Sequence, residues 1–169
     1  MSFRPDLVSC WMFQEDAAGR PRILLLHRAP GRIFPGIWQP VTGGLEAGER
    51  IIEGALRELV EETGIGAEGI ATLYGIDQVN LFHAEHVDAI QAEAVFAADL
   101  RPGVEAVLSE EHDDQRWVSP AEASEMVLWP AYREAIRQIE WIVTHRAMAT
   151  LMQAGAWAVA GSKPPSSGG

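Results

Sequence analysis

Gly43-Gly44-Leu45-Glu46-Ala47-Gly48-Glu49-Arg50-Ile51-Ile52-Glu53-Gly54-Ala55-Leu56-Arg57-Glu58-Leu59-Val60-Glu61-Glu62-Thr63-Gly64-Ile65 is the stretch that decides the reading of this chain. Arg50–Thr63 reads as a helix stopped by Gly64, a residue free to take the left-handed conformation that ends helices. At helical spacing Glu58, Glu61 and Glu62 stand at i, i+3 and i+4 and share one face. Ile51, Gly54 and Ala55 continue that stripe, and the two small residues would let a ligand come close. Ile52, Leu56, Leu59 and Val60 point the other way, toward a core. Three acids so placed repel one another by about 0.2–0.5 kcal/mol per pair. They also crowd the helix C-terminus, where the dipole is already negative. A sequence chosen for helix stability alone would carry Lys or Arg there. A divalent cation relieves both penalties, and clustered carboxylate oxygens suit the hard ion Mg²⁺. Glu49 and Arg57, eight residues apart, are placed to pair and pin the loop to the helix.

Outward from this segment, Leu7–Phe13 and Arg22–His27 read as buried strands joined by a polar turn. Ala29–Ile37, with two prolines and two glycines, is a loop. Trp38–Thr42 is a short strand ending at Gly43-Gly44. Ile70–Ile76, Ala89–Ala98 and Gln115–Val118 are further strands, with a less regular segment around Phe82. Ser119-Pro120-Ala121-Glu122 is a capping box with proline at the first helical position. Tyr132–Met152 reads as one long amphipathic helix with Ile136, Ile139 and Val143 at helical spacing. Strands interrupted by a central helix and closed by another predict an α/β fold, a mixed sheet between helices. Residues 1–160 are expected to form one domain. The Ser/Pro/Gly-rich stretch 161–169 reads as a disordered tail.

The 169 residues are 47% apolar and 22% charged, ordinary for a globular fold with a sizeable core. A net charge of −11 repels nucleic-acid backbones, so no nucleic-acid partner is expected. It repels a polyphosphate too, and such a substrate would need a positive centre, which a bound metal ion supplies. The single cysteine, Cys10, sits in an apolar run and reads as a core residue in a reducing, cytoplasmic setting. No apolar run reaches the roughly 20 residues that cross a membrane. Met1–Asp6 lacks the basic-then-apolar layout of a signal peptide.

Gly43, five residues, Glu49, seven residues, then Arg57-Glu58-Leu59-Val60-Glu61-Glu62-Thr63-Gly64-Ile65 resembles the complete Nudix box, with every fixed position filled. The resemblance implies a Nudix-type α/β/α sandwich whose box forms loop, helix and loop. It implies Mg²⁺, with Mn²⁺ a possible substitute, on Glu58, Glu61 and Glu62, with the Gly43 carbonyl a further ligand. Glu49, Arg57 and Gly64 are then structural. Trp38-Gln39-Pro40-Val41-Thr42-Gly43 and Glu111-His112-Asp113-Asp114-Gln115-Arg116-Trp117 resemble segments of the bacterial dihydroneopterin triphosphate, or dATP, pyrophosphohydrolases. The likeness runs with gaps from about Arg28 to about Ile139 and leaves out Tyr74–Ala106.

Outside the box, Glu111 is open between a metal-binding or base glutamate and a solvated loop acid. Arg28 is open between a bidentate phosphate clamp and a plain surface arginine. Trp38 and Trp129 are candidates to stack on a base, against a core role for Trp38; Gln39 joins Arg28 and Trp38 as substrate-binding. His27 and His112 read as ordinary polar residues. The implied reaction is metal-dependent hydrolysis of a pyrophosphate bond in a nucleoside triphosphate-like substrate, giving a monophosphate and pyrophosphate. Glu58, Glu61 and Glu111 are the candidates to take the proton. The alternatives are another nucleoside diphosphate-linked substrate and a nucleotide-binding regulator without catalysis. Asp77-Gln78-Val79 stand where the ADP-ribose subgroup usually has a proline, and Phe82 where dinucleoside polyphosphate members tend to have tyrosine. The expected partner is a small nucleotide-like molecule, with no membrane and a monomer or homodimer as assembly.

Overall fold

A computed structural model of the protein describes residues 4–154. Strands β1 (Leu7–Glu15), β2 (Pro21–Arg28), β3 (Trp38–Gln39) and β4 (Val41–Gly44) precede helix α1 (Ile51–Thr63). A long hairpin follows, β5 (Ile70–Ala84) and β6 (Ala89–Leu100), then β7 (His112–Val118). Helices α2 (Pro120–Met126), α3 (Pro130–Thr144) and α4 (Arg146–Ala149) follow, with a 3-10 turn over Thr150–Met152 after them. None of these helices is long and apolar enough to cross a membrane.

The strands form one mixed sheet. The main order is β3-β2-β1-β6-β5, with β4 on β1 and β7 on β2. Only β1 and β6 run parallel. β1 and β2 pair over Met12–Glu15 and Pro21–Leu24 and then part. The segment Trp38–Gly44 enters this fork: its first half pairs with Leu26–His27 of β2, its second half with Leu7–Cys10 of β1. Pro40 stands at the crossover, where its missing N–H interrupts the ladder. The expected single strand over Trp38–Thr42 is therefore two.

Both faces of the sheet are covered, which is why β1 and β2 read as unbroken apolar runs. Trp11, Phe13, Ile23 and Leu25 face α2 and α3, packing on Tyr132, Ala135, Ile136, Ile139 and Ile142. Cys10, Met12, Leu24 and Leu26 face α1, in one core cluster with Leu59 of α1 and Val41 of β4. The expected α/β/α sandwich is the observed architecture. Cys10 is fully buried, and burial pushes its thiol up to about 12.

Several local expectations change in the folded chain. The hairpin continues through Phe82, so β5 is a single 15-residue strand with irregular register between Gly75 and Val79. The C-terminal helix is not continuous over Tyr132–Met152. It breaks at His145, where Arg146 turns in to pair with Glu15 and, at 2.8 Å, with Asp99. Val60 does not face the core; it is 48% exposed, while Ile52 and Leu56 pack where expected. The expectations for residues 155–169, including the tail, lie outside the described residues.

Candidate active site

Arg57 organises the loop before α1. Its five N–H donors are all engaged. Nε reaches Glu49 Oε1 at 2.8 Å, and Nη2 reaches Glu49 Oε2 at 3.1 Å and the Gly44 carbonyl at 2.8 Å. Nη1 donates to Glu58 at 2.7 Å and to Glu61 at 3.2 Å. Such a planar fork meets a carboxylate bidentately, which a lysine could not do. The pairing with Arg57, helped by the Glu46 amide, holds the Glu49 carboxyl down at about 2. Arg4, which drew no notice in the sequence, fastens the same loop from outside through the carbonyls of Glu46 and Glu49 at 2.7 and 2.6 Å.

Gly54 and Ala55 do not open the helix to a ligand, as the sequence suggested. A Cβ at Gly54 would stand 2.3 Å from Leu45 and 2.9 Å from Glu49 Oε2, so the glycine seats the loop. Ala55 is fully buried. Gly43 is where close approach matters, because Glu58 lies directly on its backbone. Gly64 takes the left-handed conformation at φ 67° and closes α1.

The three helix acids differ in burial. Glu61 is exposed, Glu58 half-buried, and Glu62 only 3% exposed. The Oε2 atom of Glu62 has no hydrogen-bond partner in the structure. It lies 3.7 Å from Nδ1 of buried His112, itself unpartnered and beyond hydrogen-bond reach. On the far side of the ring, His112 Nε2 is 3.3 Å from Gln39 Nε2. An amide NH₂ can only donate there, so Nε2 accepts and Nδ1 carries the proton of the neutral ring. Burial pushes Glu62 up to about 9, with Glu111 and Glu58 adding like charge. Burial, then Arg28, pushes His112 down to about 4. Glu58 is raised as well, again first by burial.

Glu111 comes from the loop before β7 and belongs to the same acidic group. Its backbone carbonyl accepts from the Ala29 amide at 2.9 Å, which ties the two loops together. Its carboxylate meets Arg28 at 3.4 Å and Arg32 at 3.6 Å. Arg28 also donates to the Ile33 carbonyl at 2.8 Å. The structure thus brings Glu58, Glu61, Glu62, Glu111, Arg28 and the Gly43 backbone together. Trp38 is half-buried: the Arg116 guanidinium lies 4.8 Å from its ring centroid and His27 packs at 4.9 Å. Gln39 is buried beneath the site beside Thr42 and His112. Trp129, 37% exposed at the start of α3, packs edge-on to Phe34 at 5.5 Å.

Among the described residues, no three His, Cys, Asp or Glu side chains already enclose a cation position. Arg57 draws Glu58 and Glu61 toward itself, and Arg28 and Arg32 draw Glu111. The donors nevertheless fit a hard divalent cation. They are oxygens, one of them is buried with nothing to bind, and burial, with added repulsion from Glu111 and Glu58, raises Glu62. An isolated buried carboxylate is costly unless paired or coordinated.

Residues 4–141 match the family model described as NUDIX domain. The chain is 34% identical over 119 residues to an octanoyltransferase of Myxococcus xanthus, covering 69% of this chain and 32% of that one. It is 30% identical over 139 residues to nucleoside triphosphatase NudI of Escherichia coli O139:H28, covering 79% and 96%. The solved structure of the E. coli dihydroneopterin triphosphate pyrophosphohydrolase superposes with a TM-score of 0.68 at 28% identity, covering 81% of this chain and 95% of that one. The chain spans a third or less of the length of the first curated relatives it matches. With the box residues gathered on one helix and loop, the fold and the family match agree, and the chain belongs to the Nudix family.

Proposed function

We propose that this chain is a Mg²⁺-dependent pyrophosphohydrolase that cuts a nucleoside triphosphate-like substrate into a monophosphate and pyrophosphate. The observation that carries the reading is the buried, unpartnered carboxylate oxygen of Glu62 beside Glu58 and Glu111. Among the relatives similar over most of their own length, two are named for triphosphate substrates, which supports the choice over the dinucleoside tetraphosphates for which others are named. Glu58, Glu61, Glu62 and the Gly43 carbonyl would hold the cation, with Glu111 completing the set. When bound, the cation would neutralise phosphate charge and polarise the attacked phosphorus.

The chain's own residues supply the rest. Arg57 and Glu49 hold the Gly43 loop against α1. Glu58, Glu61 and Glu111 are the groups placed to take a proton from water, and burial raises the Glu58 carboxyl above the ordinary carboxylate range. Arg28 lies at the site edge and can exchange its contact with Glu111 for a phosphate oxygen. A cytoplasmic setting and a monomer or homodimer belong to the same proposal.

The test is a product-resolved screen of nucleoside triphosphates, dihydroneopterin triphosphate, nucleotide sugars, ADP-ribose and dinucleoside polyphosphates. Hydrolysis of a triphosphate to monophosphate and pyrophosphate, abolished by chelator and restored by Mg²⁺ or Mn²⁺, is expected. Full turnover in excess chelator overturns the metal dependence. Nucleotide binding without hydrolysis of any compound makes the chain a regulator instead.

A further inference from the structure

The loop between β2 and β3 brings a second arginine to the acidic site, and no local pattern in the sequence singles it out. Arg28 is committed to holding that loop. Its Nε donates to the Ile33 carbonyl at 2.8 Å, its amide donates to the Ile37 carbonyl at 3.0 Å, and its carbonyl accepts from the Gly36 amide at 2.9 Å. Arg32 reaches the other way, to the loop before β7. There its Nη2 donates to Glu110 at 2.9 Å and its Nη1 stands 3.6 Å from Glu111 Oε1.

The two arginines divide the Glu111 carboxylate between them. Arg28 faces Oε2 at 3.4 Å and Arg32 faces Oε1 at 3.6 Å. A tight charge-assisted hydrogen bond closes to about 2.7–2.9 Å. Both contacts therefore steer Glu111 without gripping it. The other partner of Arg32, Glu110, has a side chain 90% exposed, and an ion pair in open water is worth little. Arg57, by contrast, has all its donors engaged around the Gly43 loop. Arg32 is thus the cation at the site edge that is easiest to detach. A phosphate group matches its planar fork bidentately and would displace both weak contacts.

Glu111 lies within electrostatic reach of Glu58 and Glu62 as well as of the arginines. A carboxylate oxygen that faces a guanidinium is a poorer ligand for a second cation. The arginines and a metal ion therefore compete for one carboxylate. We infer that Arg32 is a positioning residue that couples the anion to the metal: it shares Glu111 with Arg28 until a phosphate group takes its guanidinium, and Glu111 is then released toward the helix acids to complete the cation's ligands. This rests on the metal-dependent reading above. By linkage, anion and cation then raise each other's affinity by the same factor. A residue that only braced the loop would act with the opposite sign, since its loss would loosen Glu111 and weaken the cation.

The experiment titrates Mn²⁺ into the full chain by calorimetry, in chloride and in sulfate at equal ionic strength, with sulfate as the stand-in for a phosphate group. Wild type, Arg32→Gln, Glu111→Gln and the double variant are compared. Sulfate is expected to tighten Mn²⁺ binding to wild type about threefold or more, the scale of one exposed ion pair released. Arg32→Gln should bind Mn²⁺ more tightly than wild type in chloride and gain less from sulfate. Glu111→Gln should abolish both gains, alone and in the double variant. Should Arg32→Gln not fold, Arg32→Lys, which keeps the charge but not the fork, reads the same changes at smaller size. Weaker or unchanged Mn²⁺ binding in the folded Arg32 variant, a gain that survives Glu111→Gln, or no effect of sulfate on wild type overturns the inference. Absence of saturable Mn²⁺ binding at millimolar concentration overturns the metal reading together with it. The expected shifts without hydrolysis of any compound overturn only the catalytic reading.

Discussion

The carboxyl group of Glu58 fills the space that a side chain at position 43 would need: a Cβ on Gly43 would stand 1.9 Å from Glu58 Cδ and about as close to both oxygens. Backbone and acid therefore form one surface, with the β4 strand on one side and α1 on the other. Gly43→Ala is expected to push Glu58 off that surface. Misplacement by about 1 Å can cost roughly 10²-fold in rate. Turnover should fall on that scale while the circular dichroism spectrum stays native. Wild-type kcat in Gly43→Ala would show that Glu58 has no fixed place in the reaction.

The Glu49–Arg57 pair predicts an acid limb in stability. Glu49 is held at about 2 in the folded chain, against an ordinary value of 4.5. A depressed carboxyl contributes stability above its unfolded value and loses it as pH falls through the folded one. The melting-temperature advantage of wild type over Glu49→Gln should be constant above about pH 5, then shrink toward about pH 2. An advantage independent of pH over that range would separate Glu49 from the pairing. Arg57→Lys keeps the charge but not the fork, and should also loosen the Gly43 loop, read by faster amide exchange at Gly43 and Gly44.

Glu62→Gln separates a ligand from a core residue. Burial holds Glu62 at about 9, so without metal its carboxyl is already uncharged near neutral pH, and glutamine in its place should leave the metal-free melting temperature unchanged or raised. The same change removes an oxygen donor. Metal affinity should fall by more than about tenfold, the loss seen when even an outer-shell partner is removed. Turnover should fall with it. Melting temperature and turnover dropping together would make Glu62 a packing residue, and wild-type turnover at limiting Mg²⁺ would remove it from the ligand set.

Glu111 stands between two arginines and the helix acids, so its removal tests chemistry with little packing change. Proton transfer by a positioned carboxylate typically contributes 10²–10⁴-fold. Glu111→Gln is expected to lower kcat on that scale. A loss below about threefold, well under 1 kcal/mol of barrier, would return Glu111 to a solvated loop acid.

The elements legible in the sequence are those set by local rules. Ser119 and Glu122 satisfy each other's backbone amides as the capping pattern requires. Gly64 ends α1 in the left-handed conformation. The doubly apolar runs of β1 and β2 lie at the sheet centre because both faces are covered. The reading failed where a neighbour distant in sequence decides. Helical spacing placed Glu58, Glu61 and Glu62 on one stripe, and they do share it. It could not tell that the His112 loop covers Glu62 while solvent reaches Glu61 and Val60. Gly54 looked like room for a ligand because nothing local shows that Leu45 fills it. His145 ends α3 because Arg146 is claimed by Glu15 and Asp99, more than 40 residues away in sequence.

Sequence alone determined the mixed sheet between helices, the box and the acids that gather on α1, because periodicity and spacing are properties of the chain itself. Tertiary structure decided which acid is buried and unpartnered, how Arg57 divides its five donors, and that Ser9, Gln78, Asn80 and Glu93 share one sheet face. Those facts depend on strand register and on which loop covers which helix angle. Desolvation, which raises the carboxyl groups of Glu62 and Glu93, exists only once that covering is in place.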